Sequence, residues 1–166
     1  MLVNYLHRIG WFVGLVLLQA LILNNVHIAG YATPILYIYL ILKFDSETNR
    51  NTLMVWAFFL GLAVDIFSDT PGMNAAATVL LAFVRPLLLR LFTPRDLLDN
   101  ITPGLATMGF LPFLKYLAVC VLIHHTMLFV VDSFSFAHPG ILLLRIVTSS
   151  VITLVCIMAF EGLEGK

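Results

Sequence analysis

Long apolar stretches, most of them close to the length of a membrane-spanning helix, recur along this chain and are separated by short polar connections. A spanning helix needs about 20 apolar residues. Hydrophobic residues make up 61% of the 166 positions and charged residues only 11%, whereas about a quarter of the positions in a soluble domain are charged. The chain is therefore predicted to be an all-α polytopic membrane protein that forms one domain over residues 1–166.

Six segments reach or approach the length of a span and predict one bundle of about six transmembrane helices. The second segment is the shortest, because Gly30 and Pro34 restrict its apolar run. The first segment also resembles a signal peptide, but its length and the lack of a clear A-x-A site favour an uncleaved span. The predicted spans are 9–26, 32–44, 52–67, 73–92, 109–131 and 139–160.

Lysine and arginine residues occur in alternate connections, and this asymmetry predicts the orientation of the bundle. The connections 25–31, 68–72 and 132–138 contain no lysine or arginine. Since cytoplasmic loops are enriched in these residues, we expect both termini in the cytoplasm. This asymmetry also supports the short second span, because without it Arg8 would face outward. A tilted helix, an earlier start and a partial insertion are the alternatives for this segment. The residues expected on the cytoplasmic side are Arg8, Lys43, Arg50, Arg90, Arg95 and Lys166.

The longest cytoplasmic connection, 93–108, has two interpretations. Thr93 before Pro94 resembles a helix start. An amphipathic interfacial helix with Leu97, Leu98 and Ile101 facing lipid fits this segment, and so does an ordinary solvated loop.

Charged residues inside apolar segments are the first candidates for function, because an isolated ion in hydrocarbon costs at least about 2.5–3.5 kcal/mol. Asp65 is near the outer end of the third span, and Arg145 is about 9 Å below the outer end of the sixth. An ion pair between them would hold these two helices in register. Alternatively, Asp65 remains protonated, or it caps the turn at 68–72.

Other unusual residues in the apolar segments have structural interpretations. His124 and His125 point about 100° apart on a helix and lack a companion with metal-ligand spacing, so interhelical contacts are favoured over a metal site. Cys120 and Cys156 are expected to be buried hydrophobes without a disulfide pattern. No metal or cofactor is predicted.

Two further features concern helix packing. Arg85 precedes Pro86, which predicts a kink, and the Arg85 side chain is expected to reach the headgroups by snorkelling. Gly10 and Gly14 form a GxxxG spacing that lets helices approach closely. A contact inside the bundle is favoured there over a contact with another protein.

Several functional classes are not supported by the sequence. Nine basic and nine acidic residues leave no basic footprint for nucleic acid. Nucleophile arrangements, paired catalytic carboxylates and phosphate-binding glycine loops are not found in the sequence. We therefore do not expect an enzyme.

Between residues 61 and 75 the chain reads GLAVDIFSDTPGMNA. This segment resembles the signature of the rod shape-determining protein MreD family, whose members carry a G-L-x-x-D-x-x-S stretch, a P-x-G-like turn and a helix of small residues. Gly61, Asp65, Ser68, Gly72 and Asn74 carry the resemblance. The chain length and the number of predicted spans also fit.

The resemblance implies a non-enzymatic scaffold of the wall-elongation machinery in the bacterial inner membrane. Such a protein binds MreC, a single-span protein with a periplasmic domain, and acts with the actin-like MreB and the wall-synthesis enzymes. The family is also similar in fold to the six-helix S components of energy-coupling-factor transporters. The alternative is therefore a small-molecule carrier with a pocket open to the outside. Either protein would also contact membrane lipids.

We expect a partner-binding or structural polar site near the outer face of the bundle. Only two of its residues, Asp65 and Asn74, inherit weight from the family motif. The candidate residues are Asp65, Asn74, Arg145, Gly61 and Gly72.

Overall fold

A computed structural model of the chain describes residues 2–25, 32–94, 101–133 and 139–164. The first helix, α1, leads into a π-helical turn at Leu18–Ile22 and a 3-10 turn at Leu23–Asn25. The α-helices are α1 (Leu2–Leu17), α2 (Tyr39–Leu42), α3 (Arg50–Ser68), α4 (Met73–Phe92), α5 (Leu105–Met108), α6 (Phe110–Ser133) and α7 (Pro139–Glu164).

The predicted all-α architecture with long apolar helices is confirmed for the described residues. Five helical stretches there are long and apolar enough to cross a membrane, and they coincide with the predicted first, third, fourth, fifth and sixth spans. They are Arg8–Asn25, Arg50–Ser68, Met73–Phe92, Phe110–Ser133 and Pro139–Leu163.

The second predicted span, 32–44, is not a continuous helix. Only Tyr39–Leu42 is α-helical, and residues 33–36 are irregular. The segment is nevertheless largely buried inside the bundle, with Ile38 and Ile41 fully inaccessible. Non-helical backbone at membrane depth is tolerated when it is covered by protein, because its polar groups then find partners there.

The buried segment follows α7 from one end of the bundle towards the other. The backbone N–H of Thr33 donates to Ser149, and the Lys43 ammonium pairs with Glu161. Twelve residues of α7 separate these two contacts, which corresponds to about 18 Å along the helix. The chain therefore passes through the bundle in this direction without forming a regular spanning helix.

The helices pack in the order α3, α4, α6 and α7, with α1 contacting α3 and the α2 region. The closest approach is between α3 and α4 at Gly61. A Cβ atom added there would lie 2.3 Å from the Thr78 hydroxyl oxygen and 2.5 Å from the Ala75 Cα. Gly61 is therefore needed for contact between the two backbones.

The basic residues of alternate connections gather at one end of the bundle, which we call the basic end. Arg8 pairs with Asp45, and Lys43 pairs with Glu161 at 2.9 Å. These two ion pairs bring the start of α1, the loop after α2 and the end of α7 together. Arg50, the first residue of α3, lies at the same end. Arg90, in the last turn of α4, lies there as well. Arg95 and Lys166 lie outside the described residues.

The connection 93–108 is described only in part, and Leu97 and Leu98 lie outside the described residues. Ile101, which was expected to face lipid, is instead partly buried against the core. The later part of the connection contains the short helix α5 and pairs with the loop before α3. The Ser46 N–H donates to the Ile101 carbonyl at 2.8 Å, and the Ile101 N–H donates to the Ser46 hydroxyl at 3.0 Å. This pairing joins two of the connections at the basic end.

Replacing Gly61 by alanine should destabilise the protein, although alanine is the better helix former by about 1 kcal/mol. The added methyl would overlap the Ala75 backbone, and overpacking typically costs about 1–3 kcal/mol. We expect Gly61→Ala to lower the thermal unfolding midpoint in detergent. Gly140→Ala is the matched control, since a Cβ there meets nothing within 4 Å. Equal midpoints for the two variants would contradict the close contact.

Candidate functional site

The turn between α3 and α4 gathers four of the five candidate residues. Asp69 ends α3 in the left-handed conformation with φ of 54°, and Gly72 precedes α4 with φ of 77°. Glycine adopts this conformation without steric cost. The turn thus reverses the chain and brings the first turn of α4 beside Asp65.

The Asp65 carboxylate caps the N-terminus of α4. Its Oδ1 accepts hydrogen bonds from the Thr70 hydroxyl at 2.6 Å and from the Asn74 backbone and amide at 3.0 and 2.9 Å. Its Oδ2 accepts from the Ala75 N–H at 2.9 Å. A helix N-terminus leaves backbone donors unpaired and carries partial positive charge, so a carboxylate there is stabilised without a counter-ion. Asp65 is only 3% exposed.

The hypothesised ion pair between Asp65 and Arg145 is wrong. Arg145 instead pairs with Asp132 at 3.1 Å, and its guanidinium lies 4.7 Å from the centroid of the Phe129 ring. Both partners of that ion pair are about one-third exposed. Asp65 has its acceptor sites filled by neutral donors, whereas Arg145 finds its acid at the end of α6.

A chain of hydrogen bonds extends from Asp65 into the core. Asn74 donates to Asp65, and its Oδ1 accepts from the Tyr37 hydroxyl at 2.9 Å. The Tyr37 oxygen lies 3.0 Å from His124 Nε2. Because the single Tyr37 proton is donated to Asn74, His124 Nε2 is the donor in that contact. The chain connects the α3–α4 turn to the buried segment and to α6.

His125 has different partners from its neighbour. Its Nδ1 donates to the Val121 carbonyl at 2.9 Å, and its Nε2 accepts from the Thr153 hydroxyl at 3.2 Å. Thr153 in turn accepts from the Ile35 N–H at 2.9 Å. The two histidines therefore join α6 to separate parts of the structure. Across the described residues, no group of three His, Cys, Asp or Glu side chains could hold a metal ion.

Gln19 is a structurally important residue that sequence reasoning missed. Its Oε1 accepts from the Leu36 N–H at 2.9 Å, and its Nε2 donates to the Pro34 carbonyl at 3.0 Å. Gln19 therefore pairs with polar groups on one side of the irregular backbone. On the other side, Ser149 and Thr153 accept hydrogen bonds from the N–H groups of Thr33 and Ile35. The available signal was an amide side chain in the interior of the first apolar run, away from Asn24 and Asn25 at its end.

Glu161 was also missed, and it organises the basic end. Its carboxylate accepts from Tyr39, from Lys43 at 2.9 and 3.0 Å, and from the Leu105 N–H at 3.0 Å. A Cβ added at Gly104 would lie 2.5 Å from Glu161 Oε1. Glu161 thus binds the buried segment and the start of α5, and the absence of a side chain at residue 104 gives it room.

The Arg85 side chain was expected to reach the headgroups by snorkelling, and this expectation is wrong. The side chain is buried, with only 1% of its surface exposed. Its guanidinium donates to the carbonyls of Leu42, at 3.1 Å, and Phe44. These carbonyls lie at the C-terminal end of α2, where a cation is favourable. The helix α4 continues through the adjacent Pro86.

Asp45 lies in the loop that follows α2. Its partial burial alone would raise its pKa. Hydrogen bonds from Thr102 and Arg8 outweigh this effect, together with the positive charges of Arg8 and Arg85, so the pKa of Asp45 lies below its ordinary value. The carboxylate is therefore kept ionised and holds α1 at the basic end.

A polar cavity of about 380 Å³ opens at the end opposite the basic end. Asn74 and Arg145 line it, whereas Asp65, Gly61 and Gly72 do not. The predicted site is thus divided between a structural cap and a cavity wall. The polar and charged lining residues are Gln19, Asn24, Asn25, Thr33, Ser68, Thr70, Asn74, Asp132 and Arg145.

An apolar groove of about 480 Å³ lies between α1 and α7, whose Trp11 and Phe160 rings are in contact with their centroids 5.6 Å apart. Gly10 and Gly14 lie on its α1 side, and a Cβ added at either position would meet nothing within 4 Å among the described residues. The expected internal helix contact at this GxxxG spacing is therefore wrong. The lining residues are Gly10, Trp11, Gly14, Leu15, Leu18, Leu36, Tyr39, Ile157 and Phe160.

Comparison of the chain with protein-family models, curated proteins and solved structures gives no match. The assignment of function therefore depends on the sequence motif, the groove and the cavity.

Replacing Asp65 by leucine should strongly lower the thermal unfolding midpoint in detergent. The substitution leaves the buried N–H groups of Asn74 and Ala75 without acceptors, and each such group costs about 1–3 kcal/mol. Membrane insertion should persist, because removing a charge makes insertion easier. Asp69→Asn is the control, since it removes a nearby exposed charge and asparagine tolerates the left-handed conformation. A midpoint for Asp65→Leu equal to that of Asp69→Asn would contradict the capping role.

Proposed function

We propose that this protein is a non-enzymatic membrane scaffold that binds the transmembrane helix of a single-span partner in the groove between α1 and α7. The observation that carries this proposal is the open Gly10–Gly14 face. A helix surface with two small residues four positions apart allows another backbone to approach closely. Since the bundle does not use this face, it is available to a partner.

The shape and chemistry of the groove support a helical occupant. From Gly10 to Leu18 the groove follows α1 for about 12 Å, or slightly more than two helical turns. Its base is formed by Leu36 and Tyr39 of the buried segment, and Ile157 and Phe160 lie on the opposite wall. Helices associate in a bilayer through such close van der Waals packing.

The family resemblance supplies the identity of the partner in this proposal. The protein acts as an MreD-like component of bacterial wall elongation, and the helix in the groove belongs to MreC. It then supports rod shape together with MreB and the wall-synthesis enzymes. The proposed location is the inner membrane, with the basic end and both termini in the cytoplasm, as the distribution of Lys and Arg favours.

Filling the groove should weaken the partner complex. The variant Gly10→Leu/Gly14→Leu places two side chains where the partner helix would pack, and a clash of about 1–3 kcal/mol corresponds to a loss of affinity of roughly 5- to 150-fold. The measurement is recovery of co-expressed MreC after affinity purification, compared with the wild type.

Gly140→Leu is the matched control, because it adds the same side chain on α7 where a Cβ meets nothing within 4 Å. This variant should retain the partner, and all three proteins should have similar thermal unfolding midpoints. Wild-type recovery of MreC by the groove variant would contradict the proposal.

A second candidate function, binding of a small molecule, is favoured by the polar cavity. Its volume of about 380 Å³ lies within the range of roughly 300–1,000 Å³ typical of ligand sites. Arg145 and Asp132, which pair with each other at 3.1 Å, bring charges of both signs to the lining, and Phe129 adds an aromatic ring beneath the Arg145 guanidinium. A small zwitterion with a carboxylate and an ammonium group fits this lining.

The carrier function predicts that denaturing the purified protein releases a small zwitterionic metabolite, detected by mass spectrometry. Arg145→Gln should reduce the amount released by about tenfold, because it removes a charge-assisted hydrogen bond. Lys115→Gln, which removes an exposed cation outside the cavity lining, should leave it unchanged. Release of no metabolite from the wild type would count against this candidate and leave the scaffold proposal intact.

A further inference from the structure

We propose that the cavity between the loop 46–50 and the last turns of α4 binds the phosphate of an anionic phospholipid. This cavity has a volume of about 580 Å³ and lies at the basic end. It is separate from the groove between α1 and α7 and does not depend on the scaffold proposal. Its lining residues are Ser46, Glu47, Thr48, Asn49, Arg50, Pro86, Leu87, Leu89 and Arg90.

Two arginines supply the positive charge of the cavity. Neither Arg50 nor Arg90 forms an ion pair within the described residues. The Arg50 guanidinium lies 4.9 Å from the centroid of the Phe83 ring, which leaves its hydrogen-bond donors available. Guanidinium groups bind phosphate oxygens in a planar, bidentate geometry and are preferred for phosphate recognition.

The remaining polar lining also suits a phosphodiester headgroup. Thr48 and Asn49 add a hydroxyl and an amide beside the arginines. Glu47 is the acidic residue in the described lining, so the two arginines leave a net positive charge. Arg85 adds a buried positive charge next to Pro86, where it binds backbone carbonyls rather than a carboxylate.

The surroundings favour a lipid over free phosphate as the source of the anion. Phe83 and Leu87 lie one helical turn apart on α4, and Arg90 follows on the same face. Phe83 is 49% exposed and Leu87 63% exposed, which fits contact with acyl chains. Leu87 also lines the cavity itself. A cationic pocket above an apolar face at the cytoplasmic end of a helix pair is typical of anionic-lipid recognition.

The experiment is a native mass spectrometry titration of the full-length protein in detergent with phosphatidylglycerol, phosphatidylcholine or inorganic phosphate. The wild type should bind phosphatidylglycerol more tightly than phosphatidylcholine. Arg50→Gln/Arg90→Gln should weaken phosphatidylglycerol binding by at least about tenfold, since charge-assisted hydrogen bonds are lost. Glu47→Gln should have the opposite effect and tighten binding, because it removes a repulsive carboxylate.

Lys115→Gln is the matched control, because Lys115 is exposed and does not line the cavity. It should leave binding unchanged. Equal binding of the two lipids by the wild type would overturn the proposed site. So would wild-type binding of phosphatidylglycerol by the double arginine variant, or an equal loss of phosphatidylglycerol binding in Lys115→Gln and in that variant. Displacement of phosphatidylglycerol by an equal concentration of inorganic phosphate would show that the site binds free phosphate and not specifically a phospholipid. A thermal unfolding scan of each variant separates loss of the site from loss of the fold, and the Glu47→Gln result tests the site even if the arginine variant unfolds.

Discussion

The fold depends on the satisfaction of backbone polar groups in a buried segment that is not a regular helix. Residues 33–36 cannot use the hydrogen bonds of a helix, and an unsatisfied buried amide or carbonyl is costly in an apolar environment. Gln19 binds one side of this backbone, while Ser149 and Thr153 bind the other. Because these side chains belong to the first and last long helical segments, the same contacts join the two ends of the sequence around the core.

The buried charged residues follow one physical rule, which is to bind the unpaired backbone groups at helix ends. Asp65 caps the start of α4, Glu161 caps the start of α5, and Arg85 binds carbonyls at the end of α2. Each charge therefore meets the partial charge of a helix end. These residues hold the architecture together, and none of them lines the apolar groove beside α1 or the polar cavity that contains Arg145.

The accuracy of sequence-based prediction differed between features for physical reasons. The span 73–92 coincides with α4 because an apolar run bounded by a Pro-Gly turn and by Thr-Pro specifies both helix ends. The partner of Arg145 was predicted wrongly, because Asp65 is satisfied by neutral donors that become close only after the α3–α4 turn forms. Gly10 and Gly14 were assigned to an internal contact, since spacing along one helix contains no information about the distance to the next helix.

The lengths of the apolar stretches and the positions of lysine and arginine in the sequence alone determined that this chain forms long apolar helices and that its basic residues lie in alternate connections. Those properties are local, because burial of a 20-residue stretch in hydrocarbon depends on the stretch itself. Only the tertiary structure decided that residues 32–44 form a buried, mostly non-helical segment, that Arg85 is enclosed, and that α1 and α7 leave an apolar groove between them. Each of these outcomes depends on hydrogen-bond partners or packing surfaces supplied by residues distant in the chain.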